Sequence, residues 1–191
     1  MTVCVFAASS SRIDERYRTA ASVLGRLFAE AGMDVIYGGG GIGLMGVVAD
    51  SVMAHGGRIT GVIPSFMKDE GWGHPHVSEM IVTSDMGERK KTMLARADAV
   101  VALPGGIGTL EELAEAITLK QLGLFKGPVV ILNTLGFYTH LLVFLEHMIT
   151  GSFLRIEHKN IWEVACEPQD VIPAIINNRQ WIDDPRKIAR I

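Results

Sequence analysis

Three short segments carry residues whose types and spacing could do chemistry. Pro104-Gly105-Gly106-Ile107-Gly108-Thr109-Leu110-Glu111-Glu112 runs from an apolar strand into a helical pattern. Exposed backbone N–H groups and the positive end of a helix dipole gather at such a junction, and both favour an anion. Its glycines remove side chains that could block a phosphate, and the Thr109 hydroxyl can donate to the same group. The segment is not a P-loop, because no Gly-Lys-Ser/Thr follows the glycines. Glu112 supports two readings. Thr109-x-x-Glu112 is a capping box, in which the glutamate bonds back to the start of its own helix, and taken locally this is the favoured role. The other reading is a carboxylate facing a ligand. Glu111 is turned by roughly 100° from it, so the two do not read as one carboxylate pair.

The second segment is Asp85-Met86-Gly87-Glu88-Arg89-Lys90-Lys91, which places three cations in the first turns of a helix. The helix dipole disfavours cations there, and a bound anion would explain them. The plainer reading is a solvated face with local Glu–Lys pairs. The third is the glycine run Gly38 to Gly43, continuing through Leu44-Met45-Gly46. It matches G-x-G-x-x-G but follows the second strand, and the next strand ends at Ile63-Pro64-Ser65 without the acid that would hold a ribose hydroxyl. It therefore reads as a bare-backbone loop, with Gly39 and Gly40 open to a sugar or anion, rather than a nicotinamide site. Ser9-Ser10-Ser11 follows the first strand, and Ser9 could serve the same anion or simply turn the chain.

Other residues suggest less. His74 and His76 form H-x-H without a third ligand, so no metal site is expected. Met86 and Met93, seven apart, read as core residues. Cys4 sits in an apolar run and reads as a buried thiol.

The elements that must position these segments alternate. Strands are expected at Val3–Ala8, Asp34–Tyr37, Arg58–Ile63, Glu79–Thr83, Ala99–Leu103, Pro128–Leu132 and, more weakly, Ile161–Ala165. Helices are expected at Asp14–Ala31, Leu44–His55, Asp85–Ala97, Thr109–Leu122, Phe137–Ile149 and Pro168–Asn178, with an irregular stretch from Ser65 to Ser78. Such alternation implies an α/β fold, a Rossmann-like doubly wound parallel sheet. Both glycine loops follow strands and should open at the same, carboxyl edge of the sheet.

The 191 residues, 48% of them hydrophobic, suit one domain over residues 1–180 with a tail at 181–191. A net charge of −3 gives no reason to expect nucleic acid as a partner. Two isolated cysteines, no signal-peptide pattern and no apolar run of bilayer length lead us to expect a cytoplasmic protein with no membrane partner.

Taken together, the segments resemble the Lonely Guy (LOG) family of cytokinin-activating phosphoribohydrolases. Pro104 to Glu112 matches its P-G-G-x-G-T-x-x-E signature, and Met86 to Lys90 resembles M-H-E-R-K. Tyr37 to Gly46 resembles Y-G-G-G…G-L-M-G, Cys4 to Ser10 the opening strand and serines, and Ile117 to Gly123 the helix I-T-W-x-Q-L-G. The resemblance implies hydrolysis of the N-glycosidic bond of an N6-modified adenosine 5′-monophosphate, or of AMP itself, to free base and ribose 5-phosphate. It implies a homodimer or larger assembly and no organic cofactor. By position, Arg89 and Glu112 become the catalytic pair. Lys90, Gly105, Gly106, Ile107, Gly108, Thr109, Leu110, Glu111 and Thr118 become substrate-binding positions, with Glu70 matching a binding glutamate before the fourth strand. Gly87 stands where the family has histidine and Leu119 where it has tryptophan, which bears on the base pocket. The lysine decarboxylase label often attached to this family finds no support, since nothing suggests a pyridoxal phosphate site. The rival readings are a nucleotide-binding or carrier protein of the same fold, a nicotinamide-dependent oxidoreductase, and a scaffold whose glycine loops only turn corners.

Overall fold

The computed structural model describes residues 1–177. The expected tail and the last residue of the expected final helix lie outside the described residues. Seven parallel strands form one sheet in the order β4-β3-β2-β1-β5-β6-β7. They are β1 Thr2–Phe6, β2 Asp34–Tyr37, β3 Ile59–Pro64, β4 Glu79–Thr83, β5 Ala99–Ala102, β6 Val129–Leu132 and β7 Glu163–Ala165. The helices are α1 Glu15–Glu30, α2 Gly43–Ala54, α3 Ser65–Asp69, α4 Met86–Ala95, α5 Ile107–Gln121, α6 Thr139–Thr150 and α7 Pro168–Ile176.

Period two along the strands divides the core. Val3, Val5, Val35, Tyr37, Val101 and Leu103 pack on one face with Leu24 and Phe28 of α1, Val48 and Val52 of α2 and Val171 of α7. Cys4, Phe6, Ile36, Val62, Val100 and Ala102 face the other way, against Met93 of α4 and Leu113 and Ala116 of α5. Both faces are covered, so the strands are apolar throughout, as parallel strands require.

β2 and β4 run over the residues expected, and α1 begins at its Asp14 cap, whose side chain accepts from the Arg16 N–H. Gly32, at φ +65°, stops the turn after α1 as expected. Several ends shift by one or two residues, β1 stopping at Phe6 rather than Ala8 and α6 starting at Thr139 rather than Phe137, and three further expectations need correction. The irregular stretch from Ser65 holds the short helix α3. The last strand is shorter than Ile161–Ala165 and begins at Glu163. Most consequentially, α5 begins at Ile107, with Gly106 at its N-cap, not at Thr109. Glycine and an apolar residue open this helix without a side-chain cap, and the first hydroxyl that could signal a helix start in the sequence is Thr109.

The sheet order reverses direction between β1 and β5, the switch point where doubly wound folds open a crevice. The loops after β1 and β5 diverge there, joined by the Ala8 N–H to the Pro104 carbonyl at 3.2 Å.

Candidate active site

A cavity of about 550 Å³ opens at this switch point, a size that suits a small organic ligand. Ser9 enters it from the β1 loop, Gly38 and Gly40 from the β2 loop, and Gly106, Ile107, Gly108 and Thr109 from the start of α5. Arg89 comes from α4 and Glu112 from α5.

Arg89 and Glu112 form its charged floor. Arg89 Nη1 donates to Glu112 Oε1 at 2.6 Å, and both side chains are 8% exposed. The rest of the guanidinium is also engaged: Nε donates to the Val62 carbonyl at 3.1 Å and Nη2 to the Gly38 carbonyl at 3.3 Å. The cation is held by the ends of β3 and β2 and holds the carboxylate in turn. Burial pushes the Glu112 carboxyl above its ordinary range, and Arg89 opposes the shift. Beneath the pair lies Cys4, buried as expected, whose thiol is pushed well up by burial and then by the Glu112 charge.

This arrangement overturns the local reading of Glu112. With the helix starting at Ile107, Thr109 lies inside the helix and no side chain caps its end. Glu112 reaches a residue 23 positions away instead. It also corrects the reading of the α4 cations. Arg89 is spent on protein acceptors rather than left for an anion. Lys90 pairs with Glu111, and with Glu115 at 2.9 Å, as a second bridge between α4 and α5. Lys90 does not line the cavity, and Glu111 does.

The α5 opening is where an anion could sit. Its first intrahelical bond runs from the Leu110 N–H to the Gly106 carbonyl at 3.0 Å. The amides of Ile107, Gly108 and Thr109 precede that bond and point out of the helix end. Nothing stands within 4 Å of where a Cβ would lie at Gly106 or Gly108, so the approach is open. Gly105 is different: a Cβ there would strike the Thr109 side chain, so this glycine lets Thr109 pack rather than lining the cavity.

The β2 glycines mostly answer tertiary demands. A Cβ at Gly38 would collide with the Arg89 guanidinium. Gly39 has φ +74° and lies outside the cavity lining, while Gly40 lines it. Gly43 has φ +69° and would bring a Cβ to 2.6 Å from the Ala8 carbonyl. The helix α2 spends its opening on the same loop, with the Met45 N–H donating to Ala8 at 3.2 Å.

Three other expected binding positions lie apart from the cavity lining: Glu70, exposed after α3; Leu110; and Thr118, whose hydroxyl donates to the Ala114 carbonyl at 2.8 Å. Leu119 packs against the core on the α4–α5 face rather than at the cavity. Gly87 is exposed at the start of α4, where a side chain would first meet Asp85. Among the described residues no group of three or more His, Cys, Asp and Glu could hold a metal.

Sequence reasoning missed the apolar wall. Ile63, Met67, Trp72 and Met45 line the cavity, and so does Met86, which had read as core. Met93 is core as expected. Tyr138 was also missed. It is buried, donates from its hydroxyl to the Leu103 carbonyl at 2.7 Å, and feels the Glu112 charge. A tryptophan in a glycine- and histidine-rich loop was the one visible signal for the wall.

The chain is similar to known proteins over most of its length. A family model described as "Possible lysine decarboxylase" matches residues 45–175. The rice (Oryza sativa subsp. japonica) protein LOGL9, a probable cytokinin riboside 5′-monophosphate phosphoribohydrolase, is 41% identical over 170 residues, covering 89% of this chain and 75% of its own. The Arabidopsis thaliana cytokinin riboside 5′-monophosphate phosphoribohydrolase LOG7 is 44% identical over 171 residues, covering 89% and 78%. Among solved structures, the Chlamydomonas reinhardtii molybdenum cofactor carrier protein superposes with a TM-score of 0.72 at 23% identity, covering 92% of this chain and 96% of its own, which shows a shared fold. The chain belongs to the Lonely Guy family, that of the cytokinin riboside 5′-monophosphate phosphoribohydrolases.

Proposed function

We propose that this protein hydrolyses the N-glycosidic bond of an N6-modified adenosine 5′-monophosphate, releasing the free base and ribose 5-phosphate. The observation that carries the reading is the buried Arg89–Glu112 pair set in the same cavity as an unblocked helix N-terminus. Relatives at 41–44% identity named for this reaction support it.

The 5′-phosphate binds at the Ile107, Gly108 and Thr109 amides, where backbone donors and the helix dipole both favour an anion. The Thr109 hydroxyl and Ser9 add polar contacts. That anchorage holds C1′ beside Glu112, one and a half turns further along the same helix. Departure of the base leaves positive charge on the ribose, as in glycoside hydrolysis. The Glu112 carboxylate stabilises that charge and takes a proton from the attacking water. Water oxygen bonds to C1′, the C1′–N9 bond breaks with its electron pair going to the base, and the base leaves with a proton from solvent. Arg89 keeps Glu112 ionised and aimed. It is always protonated itself, so it serves by charge and position rather than as an acid.

A pyridoxal-dependent decarboxylation does not suit this cavity. Among the described residues no lysine lines it, and so none of them places an amine to hold the cofactor. The functional unit is a homodimer or larger, which the exposed apolar side chains Val143, Phe144, Phe153 and Ile156 support. Among the described residues no helix is long and apolar enough to cross a membrane.

Incubation with N6-isopentenyl-AMP and assay of ribose 5-phosphate tests the activity. Stoichiometric ribose 5-phosphate and free base are expected. Saturable binding with neither product would replace this reading with that of a carrier.

A further inference from the structure

The cavity is markedly two-sided. Its phosphate-binding end lies past β5, and its apolar end lies past β3, built from Ile63, Met67 of α3 and Trp72. Between them in the sheet stand β1 and β2. Glu112 stands on α5, which packs against β1 and β5. From β1 to β3 is two strand intervals, or about 10 Å. A nucleotide whose phosphate sits at the start of α5 and whose C1′ lies at Glu112 therefore points its base at Trp72 and Met67.

Trp72 is fixed in place, although its side chain is half exposed. Its carbonyl accepts from the Gly41 N–H at 3.1 Å, and its own N–H donates to the Met67 carbonyl at 3.1 Å. The next residue, Gly73, makes an antiparallel bridge to Gly40, and the His74 N–H donates to the Gly39 carbonyl at 2.8 Å. His74 is locked as well. Its Nδ1 accepts from the His76 N–H at 3.2 Å, which leaves Nε2 to donate to Asp50 at 3.0 Å. Gly41 fits because a Cβ there would press against His74 Cα at 3.2 Å. The segment after α3 is thus clasped to the β2 glycine loop. A large apolar ring left exposed on a rigid support, facing a cavity, is a contact surface waiting for an apolar partner.

We propose that Trp72, backed by Met67, is the specificity-determining surface for the N6 substituent, and that it selects an apolar chain over the bare amine of AMP. This rests on the hydrolase reading of the same site. Trp72 and Met67 both present uncharged, polarisable side chains to the cavity, so an isoprenoid-like chain would bury its carbons against indole and thioether. Discrimination of this kind in an apolar pocket is worth roughly tenfold to a few hundredfold.

The test compares N6-isopentenyl-AMP with AMP in wild type, Trp72→Ala and Trp72→Phe. Calorimetric binding and base release are both measured. Trp72→Ala should lower affinity and kcat/KM for the isopentenyl nucleotide by about tenfold or more, and change those for AMP by less than about threefold. Most of the loss should appear in KM, and Trp72→Phe should restore part of it. Equal losses for the two nucleotides, or none for either, would overturn the assignment. If wild type binds both nucleotides and releases no base, the hydrolase reading fails, and the binding ratio still decides the role of Trp72.

Discussion

Arg89 Nη1 and Glu112 Oε1 stand 2.6 Å apart, joining α4 to α5 above the carboxyl ends of β1, β2 and β3. The Nε and Nη2 of the same guanidinium donate to the Val62 and Gly38 carbonyls. One cation thus fixes the position of one carboxylate relative to the sheet. A buried pair of this sort contributes little net stability, because both charges were taken out of water. Its value here is the fixed, ionised carboxylate that it presents to the cavity.

Removing either partner should therefore have a double effect. Arg89→Ala leaves Glu112 buried without its counter-charge and should cost about 3–5 kcal/mol of stability, with loss of turnover. Arg89→Lys should not rescue turnover. A lysine cannot reach Glu112, Val62 and Gly38 with three donors in one plane. Chemical denaturation and base release on both variants check this, and full activity in Arg89→Lys would contradict it.

Gly38 and Gly106 should behave oppositely when changed to alanine. At Gly38 the new methyl meets the Arg89 guanidinium, so Gly38→Ala should lower both melting temperature and kcat. At Gly106 there is open space, so Gly106→Ala should keep its stability within about 0.5 kcal/mol. Its methyl would stand at the phosphate end of the cavity and raise KM. Thermal melts with steady-state kinetics separate the two. Equal effects would mean that the glycines serve only the backbone.

The pH profile should carry the mark of a buried carboxylate. Burial raises the Glu112 carboxyl above its ordinary value of 4.5, against the pull of Arg89. Turnover requires the ionised form, so kcat should fall on the acid side with an apparent pKa above 4.5. The sign for stability is the reverse. A raised folded-state value favours the protonated form, so the contribution of Glu112 to stability is complete below the unfolded value and is lost as pH rises through the folded one. An acid limb at or below the ordinary carboxylate value would contradict this assignment.

Lys120 tests the same physics without a partner. It is wholly buried on α5, and its Nζ has no hydrogen-bond partner among the described residues. Burial pushes its ammonium from 10.5 down to about 8, with Glu163 opposing. The unfolded chain then binds more protons between those two values, so stability should rise with pH across that window. Lys120→Met should remove that rise and stabilise the protein at neutral pH by about 1–4 kcal/mol. A lower melting temperature in Lys120→Met would show that the ammonium is well served.

Much of the fold was legible because strong local signals bounded its elements. β2 ends where glycines begin, and β4 lies between serines. Asp14 and Asp85 carry their caps in the sequence itself. The start of α5 was misplaced because Gly106 and Ile107 offer no capping side chain. The site was legible only in part, and for a related reason. Motifs bring together residues that are near in sequence, which is why Glu112 read as a cap for Thr109. Its true partner is 23 residues away, and no local spacing encodes that distance. The same holds for Gly38, whose missing side chain makes room for Arg89, and for Trp72, whose carbonyl accepts from the distant Gly41 N–H.

The most direct test of the account measures free base by chromatography after incubating N6-isopentenyl-AMP and AMP with wild type and with Glu112→Gln. Wild type should release base from the isopentenyl nucleotide. Glu112→Gln, still folded, should turn over about 10²–10⁴-fold more slowly. Undiminished turnover in Glu112→Gln alongside a lowered melting temperature would contradict the account, leaving Glu112 a structural partner of Arg89 and the chemistry to another group.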